Sequence, residues 1–329
     1  MSMSNILSTL GPLAAYYEDP TVSEIMVDSP DSVVIERSGK LEDTPLRFDP
    51  PETLRMLIDE LLALTGVKLA PGETLRDIRL PDNFARVQIV LPPTALNGPC
   101  LVIRKMFTHQ VTWEMLFKFG ALTQEAYDLL QSAIRADVNI LIAGNMSSGK
   151  TTITNRLVET IPAEKRLVVV EAAHTYQIDH PRTVYLEAAA TRMSLRTLLD
   201  AAANMRPDWL IVSELETPDA ARVLELFRSG HVGITNIHGN DPEDTLTRLE
   251  SLCLMANLGL GLPEIRSLIV NALRLLVQHN RLPDGRRRIV QIVEICGLEN
   301  NQYLLQPLMI YNPALDRLEA TGAKATWLG

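Results

Sequence analysis

The residue types most able to do chemistry stand together in one stretch near the middle of the chain. It reads Gly144-Asn145-Met146-Ser147-Ser148-Gly149-Lys150-Thr151 and fits the pattern G-x-x-x-x-G-K-[ST] without substitution. The glycines of such a P-loop let successive backbone amides point into one concavity that holds phosphate oxygens. The lysine then reaches the β- and γ-phosphates, and the next hydroxyl holds Mg²⁺. The stretch, with Thr152 beside it, therefore predicts binding of ATP and Mg²⁺.

A phosphate-binding loop of this kind must lie between a strand and a helix. Residues 138–143 form a short apolar run of strand character, and residues 149–160 have a helical pattern. Further predicted strands lie at 167–171, 183–187, 209–213 and 232–237, and further helices at 194–205, 217–229, 241–256 and 263–275. This alternation predicts an α/β fold in which helices cover both faces of a mostly parallel sheet.

The organisation differs before the P-loop. Residues 1–110 read as a smaller α+β domain, and residues 111–136 read as a helical linker of two segments that separate near Gly120. Residues 137–329 then form the P-loop domain. This division predicts two domains joined by helices, which agrees with a length of 329 residues at about 150 residues per domain.

Two glutamates stand where predicted strands end. Val168-Val169-Val170 leads into Glu171, and Ile211-Val212-Ser213 leads into Glu214. Because ligands bind beyond the carboxyl ends of parallel strands, both carboxylates are expected to face the phosphates. One would polarise the attacking water and the other would hold the Mg²⁺ shell, and the sequence leaves open which does which.

Two histidines flank the strand predicted at 232–237, namely His231 and His238. Zinc would need further ligands at suitable spacing, and none stands nearby. A neutral imidazole can instead donate to a γ-phosphate and lose that bond after hydrolysis, which makes this pair a candidate sensor. The remaining histidines are interpreted as structural: His109, His174, His180 and His279.

Composition restricts the classes of partner. The net charge is −9, which argues against a broad nucleic-acid or anionic-lipid surface. The three cysteines are widely spaced, and this predicts reduced thiols rather than a metal motif or a disulfide framework. No apolar run reaches about 18 residues and no charged signal region precedes Arg37, so any membrane role is expected to come through partners.

Several motifs in a fixed order resemble those of the type II/type IV secretion ATPases, and in particular the CpaF-like branch that powers tight-adherence (Flp) pili. The similarity runs from about residue 10 to residue 310. Besides the P-loop, the matching segments are Asp19–Val27, Arg79–Asp82, Val102–Lys105, Val170–Ala172, Met205–Asp208, Ser213-Glu214, Gly230–His238, Arg248–Glu250 and Gln278–Gly285.

This resemblance implies a fold, an assembly and roles for individual residues. It implies a RecA-like domain that binds nucleotide, an N-terminal domain that closes over it, and a homohexameric ring. It also implies a cytoplasmic ATPase at the periphery of the inner membrane that works with a membrane platform protein. Glu214 matches the Walker B glutamate and Glu171 the Asp-box acid, while His231 and His238 match the His box. Arg86 and Arg104 match arginines that approach the nucleotide.

The chain departs from the family pattern at four places. Glu216 stands where relatives carry an arginine after the Walker B glutamate, and Ala172 replaces the Asp-box aspartate. The P-loop interior, Asn145–Ser148, differs from the usual Gly-Thr-Gly-Ser, and the His box is one residue shorter. An arginine at a phosphoryl-transfer site is worth about 10³–10⁵ in rate. Its loss therefore predicts an ATPase of reduced activity.

Three alternatives follow from these departures. One is a nucleotide-gated ring with weak hydrolysis, and a second is a conjugation-type type IV secretion ATPase. A third is a RecA-fold DNA motor, against which the acidic charge balance counts. The sequence does not name the cargo, nor does it distinguish pilus assembly from retraction.

Overall fold

The computed structural model describes residues 3–37, 40–81, 85–105, 111–191 and 193–328. His109, which the sequence assigns a structural role, and Asp82 of the Arg79–Asp82 motif lie outside these ranges. The chain divides into two compact units, Met1–Gln110 and Val111–Gly329. Within the described ranges, no helix combines the length and the apolar character needed to cross a bilayer.

The first unit packs helices against an antiparallel sheet. Its helices are α1 (Met3–Leu10), α2 (Ala14–Glu18) and α3 (Glu52–Thr65), and its strands are β1 (Val22–Ser29), β2 (Ser32–Arg37), β3 (Lys40–Asp43), β4 (Leu75–Arg79), β5 (Ala85–Val90) and β6 (Cys100–Lys105). The order across the sheet is β3-β2-β1-β6-β5-β4. Its core is formed by apolar residues of α1 and α3 and by alternate residues of the strands. The helical and strand periods place these residues on the faces of the helices and of the sheet that pack together.

The second unit carries the alternating pattern. Its helices are α4 (Trp113–Lys118), α5 (Gln124–Arg135), α6 (Lys150–Val158), α7 (Ala188–Thr191), α8 (Leu195–Ala203), α9 (Ala220–Arg228), α10 (Pro242–Met255) and α11 (Leu262–Ala272). Its strands are β7 (Ile140–Gly144), β8 (Leu167–Glu171), β9 (Thr183–Glu187), β10 (Trp209–Glu214), β11 (Gly233–His238), β12 (Leu275–Arg281), β13 (Arg287–Glu299), β14 (Gln302–Asn312) and β15 (Arg317–Ala320).

These strands form one sheet in the order β15-β14-β13-β12-β7-β11-β10-β8-β9. The strands from β12 to β9 pair in parallel, and β13 to β15 extend the sheet antiparallel. The predicted α/β fold with a mostly parallel sheet is therefore confirmed. The antiparallel extension was not predicted.

Helices cover both faces of this sheet because successive residues of a buried strand point to opposite sides. In β7, Ile140 and Ile142 pack in one core with residues of α5 and α6. Leu141 and Ala143 pack in the other core with residues of α8 to α11. The carboxyl end of β7 is thereby fixed between two helix layers, and the P-loop leaves the sheet from this end.

Side-chain caps define where several helices begin. Thr112, Thr123, Ser194 and Asp241 each accept a hydrogen bond from a backbone N–H in the first turn of α4, α5, α8 and α10, respectively. These bonds satisfy backbone donors that otherwise have no partner at a helix start. α4 and α5 occupy the segment 111–136, and both contribute to the core of the second unit.

Candidate active site

The P-loop joins β7 directly to α6, and two glycines make this path possible. A Cβ on Gly144 would lie 2.0 Å from the carbonyl oxygen of His279 in β12, so only glycine lets the loop start so close to that strand. Gly149 has a φ of +98°, a left-handed conformation that favours glycine, and it precedes the first turn of α6. Met146 and Ser147 are exposed at the loop, while Thr151 and Thr152 lie partly buried in the first turn of α6.

Lys150, Glu214 and His238 come together beside this loop, from three different elements. Lys150 Nζ lies 3.3 Å from Glu214 Oε1, and His238 Nε2 lies 3.2 Å from the same oxygen. Lys150 Nζ also lies 3.1 Å from His238 Nδ1. Because the ammonium group only donates, Nδ1 must accept in this contact, and a ring with its proton on Nε2 presents that N–H to Glu214.

The lysine is held within the site by charge and by carbonyls. Lys150 is 6% exposed and donates to the carbonyl oxygens of Gly144, at 3.2 Å, and Asn145, at 3.5 Å. Burial lowers the pKa of Lys150, and the nearby Glu214 carboxylate opposes this shift. Glu214 Oε1 has no hydrogen-bond partner among the described residues despite the two short ionic contacts. This oxygen is buried, and its nearest polar neighbours are Lys150 and His238.

Glu171, at the end of β8, is bound within the loop that follows this strand. It is 1% exposed, and its carboxylate accepts hydrogen bonds from His174 Nδ1 at 2.7 Å, Thr175 N at 2.6 Å, Thr175 Oγ1 at 2.9 Å and Tyr176 N at 2.9 Å. Tyr176 in turn donates its hydroxyl to the carbonyl of Val212 in β10 at 3.3 Å. Glu171 thus orders the loop after β8 and fixes it against the strand that ends at Glu214.

The two histidines of the predicted pair lie at opposite ends of β11. His238 closes the carboxyl end of the strand and pairs with Gly144 of β7. His231 precedes the amino end, where its Nδ1 lies 3.1 Å from the carbonyl oxygen of Leu226. The five residue steps of the strand alone span about 16 Å. Within one chain, only His238 therefore lies beside Lys150.

The two candidate arginines of the first unit form ion pairs there. Arg86 Nη2 lies 2.5 Å from Asp77 Oδ2, and Arg104 pairs with Glu24. Both pairs join neighbouring strands of the six-stranded sheet. Their approach to a nucleotide stays a prediction.

Glu216, the residue that replaces the family arginine, lies close to the site. One oxygen of Glu216, one of Glu214 and one ring nitrogen of His238 lie within 4.8 Å of one another. Among the described residues these three can hold a divalent ion, although carboxylates also cluster without one. Glu216 also contributes to the electrostatic environment of Lys150, so its charge is felt at the P-loop.

His279 of β12 lies under the P-loop and was read from the sequence only as a structural histidine. It is 2% exposed, and neither ring nitrogen has a hydrogen-bond partner among the described residues. Burial, assisted by the positive charges of Arg287 and Lys150, lowers its pKa to about 3. The ring is therefore neutral and packs as an apolar group.

This burial predicts an acid-sensitive contribution to stability. The pKa of histidine in an unfolded chain is about 6.5, so the unfolded state binds more protons between pH 6.5 and pH 3. Stability must then fall as the pH drops through this window, by about 2 kcal/mol between pH 7 and pH 5. His279→Gln should show a correspondingly smaller loss in the free energy of unfolding, measured with urea at both pH values. Identical losses in the two proteins would contradict the burial of a neutral His279.

Comparison with known proteins identifies the family. The family model described as "Type II/IV secretion system protein" matches residues 7–295. The chain belongs to this family of secretion ATPases. The family membership predicted from the motifs is thereby confirmed, whereas the tight-adherence branch stays a prediction.

Two relatives and one solved structure are similar to this chain over most of its length. It is 28% identical to the conjugal transfer protein TrbB of Rhizobium radiobacter, over 88% of this chain and 89% of that protein. It is also 28% identical to the type IV secretion system protein VirB11 of Brucella suis, over 86% and 88%. In fold it is similar to the pilus retraction motor PilT, solved with bound ADP, with a TM-score of 0.61 at 17% identity over 96% and 85% of the two chains.

Proposed function

We propose that this protein is an ATP-hydrolysing motor of a secretion or pilus system, which works as a homohexamer on the cytoplasmic side of the inner membrane. The observation that carries the proposal is the meeting of Lys150, Glu214 and His238 beside a complete P-loop. Family membership supports it. An inner-membrane platform protein is the proposed partner, and no direct contact with nucleic acid is proposed because the chain is acidic.

The residues of the site fit Mg·ATP. The P-loop amides and the start of α6 would hold the phosphates, and Lys150 would exchange its carbonyl contacts for phosphate oxygens. Thr151 would hold Mg²⁺, with Glu214 or Glu171 acting through water. When bound, the ion neutralises charge that develops on the phosphoryl group. Glu214 would orient the attacking water, since its carboxylate ends β10 and lies beside Lys150 and His238 at the P-loop.

His238 is the proposed sensor within this site. Its ring contacts both Lys150 and Glu214, so any movement of Lys150 toward phosphate changes the hydrogen bond at Nδ1. Such a change on binding and release would bias the position of β11. His231 lies at the other end of the same strand, so a shift of β11 would also change its contact with the carbonyl oxygen of Leu226. Arg86 and Arg104 are proposed to approach the nucleotide from the first unit.

The branch of the family is a separate question. The motif pattern favours the CpaF-like tight-adherence branch. The relatives TrbB and VirB11 favour a conjugation-type or type IV secretion motor, which is the second candidate function. A ring with little turnover is the third, because Glu216 places a negative charge where relatives carry a positive one. Identification of the proteins that co-purify from membranes separates the first two.

Assembly tests the motor directly. A ring motor moves domains against each other as nucleotide is hydrolysed. We expect the protein to sediment as a hexamer with saturating Mg·ATP at physiological salt, and less completely without nucleotide. Sedimentation velocity at micromolar concentration measures this. A monomer under those conditions would rule out the ring and leave a two-domain nucleotide-binding protein.

The charge at Glu216 tests the proposed limit on turnover. For a phosphoryl group about 5 Å from the Glu216 carboxylate, one unit charge in the dielectric of water is worth about 0.8 kcal/mol, or roughly fourfold in rate. The water value applies because Glu216 is exposed. We expect Glu216→Gln to raise steady-state hydrolysis about fourfold, and Glu216→Arg to raise it further because a positive charge is added. Flat or lower turnover in both assembled variants would show that Glu216 does not limit the chemistry.

A further inference from the structure

Four positions of the P-loop contact one neighbouring element, the β12–β13 hairpin (Leu275–Glu299). β12 runs parallel to β7 and pairs with it up to Ala143. It continues past the end of β7, so its last residues lie alongside the loop. β13 returns antiparallel from Arg287. Asn145, Ser147 and Gly149 each contact a different residue of this hairpin, and Gly144 contacts the same residue as Gly149.

Asn145 binds the hairpin through both ends of its side-chain amide. Its Nδ2 donates to the carbonyl oxygen of Arg281 at 3.0 Å, and its Oδ1 accepts from the N–H of Arg281 at 2.8 Å. The amide thus reproduces the pair of bonds that a backbone residue makes across a sheet, one step beyond β7. A glycine, which the family favours at this position, cannot make either bond.

Arg287 binds the outer part of the loop. Its Nε donates to the carbonyl oxygen of Ser147 at 3.0 Å. Ser147 has a φ of +57°, a left-handed conformation that a serine adopts at a cost unless its surroundings stabilise it. A carbonyl bound by a guanidinium group is also kept from turning into the phosphate concavity, where its negative end would repel the ligand.

His279 supports the loop from below. A Cβ on Gly149 would lie 3.2 Å from Cε1 of the His279 ring, so the glycine at the start of α6 rests against the imidazole. The carbonyl oxygen of the same histidine lies against Gly144, at the other end of the loop. Both glycines of the P-loop therefore pack on one residue of β12.

We propose that the β12–β13 hairpin holds the P-loop in its phosphate-binding shape, with Asn145 and Arg287 as positioning residues for the nucleotide. This inference rests on the proposed nucleotide function and adds residues to it. A loop that is already ordered loses less conformational entropy when phosphate binds. More of the free energy of its phosphate contacts then contributes to affinity.

The test is the dissociation constant for Mg·ADP in the full-length protein, measured by calorimetry at 20–25 °C, as the two contacts are removed. We expect Asn145→Ala and Arg287→Ala each to raise the constant about tenfold. Arg287→Lys keeps a donor for Ser147 and should stay within about threefold of wild type. Arg286→Ala is the matched control, because Arg286 lies on the same hairpin but pairs with Asp284 and Asp316. It should leave the constant unchanged.

Two further readouts separate positioning from stability. The Michaelis constant for ATP should rise in both alanine variants more than the turnover number falls. The thermal unfolding midpoint identifies a purely structural role, in which the midpoint drops while the dissociation constant stays at the wild-type value. That outcome, with a wild type that binds Mg·ADP, would overturn the proposal and leave the nucleotide function standing. A wild type that binds no Mg·ADP would instead overturn the proposed function.

Discussion

Lys150→Ala is expected to reduce ATP turnover about 10³-fold or more and to weaken nucleotide binding. The side chain is buried at the P-loop and is the one cation within hydrogen-bond reach of Gly144 and His238 among the described residues. Without it, the γ-phosphoryl group loses a positive partner in the transition state. Steady-state hydrolysis and calorimetric titration with Mg·ATP measure the two effects.

Removal of this lysine has a second consequence that the experiment must control. Glu214 loses its ionic partner at 3.3 Å, so the variant's folding must be checked by its thermal midpoint. Lys165→Ala is a matched control, because that lysine lies outside the loop and pairs with Asp137 at 3.7 Å. It should hydrolyse ATP as wild type does. If Lys150→Ala binds ATP as tightly as wild type, the P-loop assignment fails.

Glu214→Gln is expected to retain ATP binding and to lower hydrolysis by about 10²-fold or more, the contribution of a general base or a positioned carboxylate. Glutamine keeps the shape of the side chain and removes its charge. The carboxylate lies beside Lys150 and His238, and its Oε1 has no hydrogen-bond partner among the described residues. A single-turnover assay with saturating protein separates the chemical step from binding.

Glu171→Gln is the informative comparison. The four hydrogen bonds to the Glu171 carboxylate all come from His174, Thr175 and Tyr176, so the amide should disturb that loop and lower stability. Its effect on hydrolysis is expected to be smaller than that of Glu214→Gln and to follow the loss of stability. A hundredfold loss from Glu171→Gln, with Glu214→Gln near wild type, would reverse the two roles.

Local patterns were sufficient to predict five of the six parallel strands, β7 to β11, but not β12. Buried strands such as Leu167–Glu171 are short apolar runs, and the helix after the P-loop shows helical spacing of its apolar residues. Each of these elements could therefore be predicted from about ten consecutive residues. The direction of parallel strands then predicted that Glu171 and Glu214, at the ends of β8 and β10, lie at one edge of the sheet. These inferences needed no knowledge of distant pairing.

The antiparallel extension and the partners of Glu171 could not be predicted in the same way. β13 begins with Arg287-Arg288 and carries the buried Glu294 in its centre, so it lacks the uninterrupted apolar run of the parallel strands. The helix predicted at 263–275 also includes Leu275, which is the first residue of β12 in the structure. Two of the four donors that bind Glu171 are backbone N–H groups, which carry no signal in residue type. Such contacts depend on how the loop folds back.

The start of β13 places two consecutive arginines on opposite sides of the sheet, because successive strand residues alternate in direction. Arg287 donates to Ser147 of the P-loop, and Arg288 donates to the carbonyl of Phe119 after α4. One added or deleted residue in the turn at 282–286 would exchange these directions and break both attachments together. The number of residues in this turn is therefore a property that must be preserved for both attachments to form.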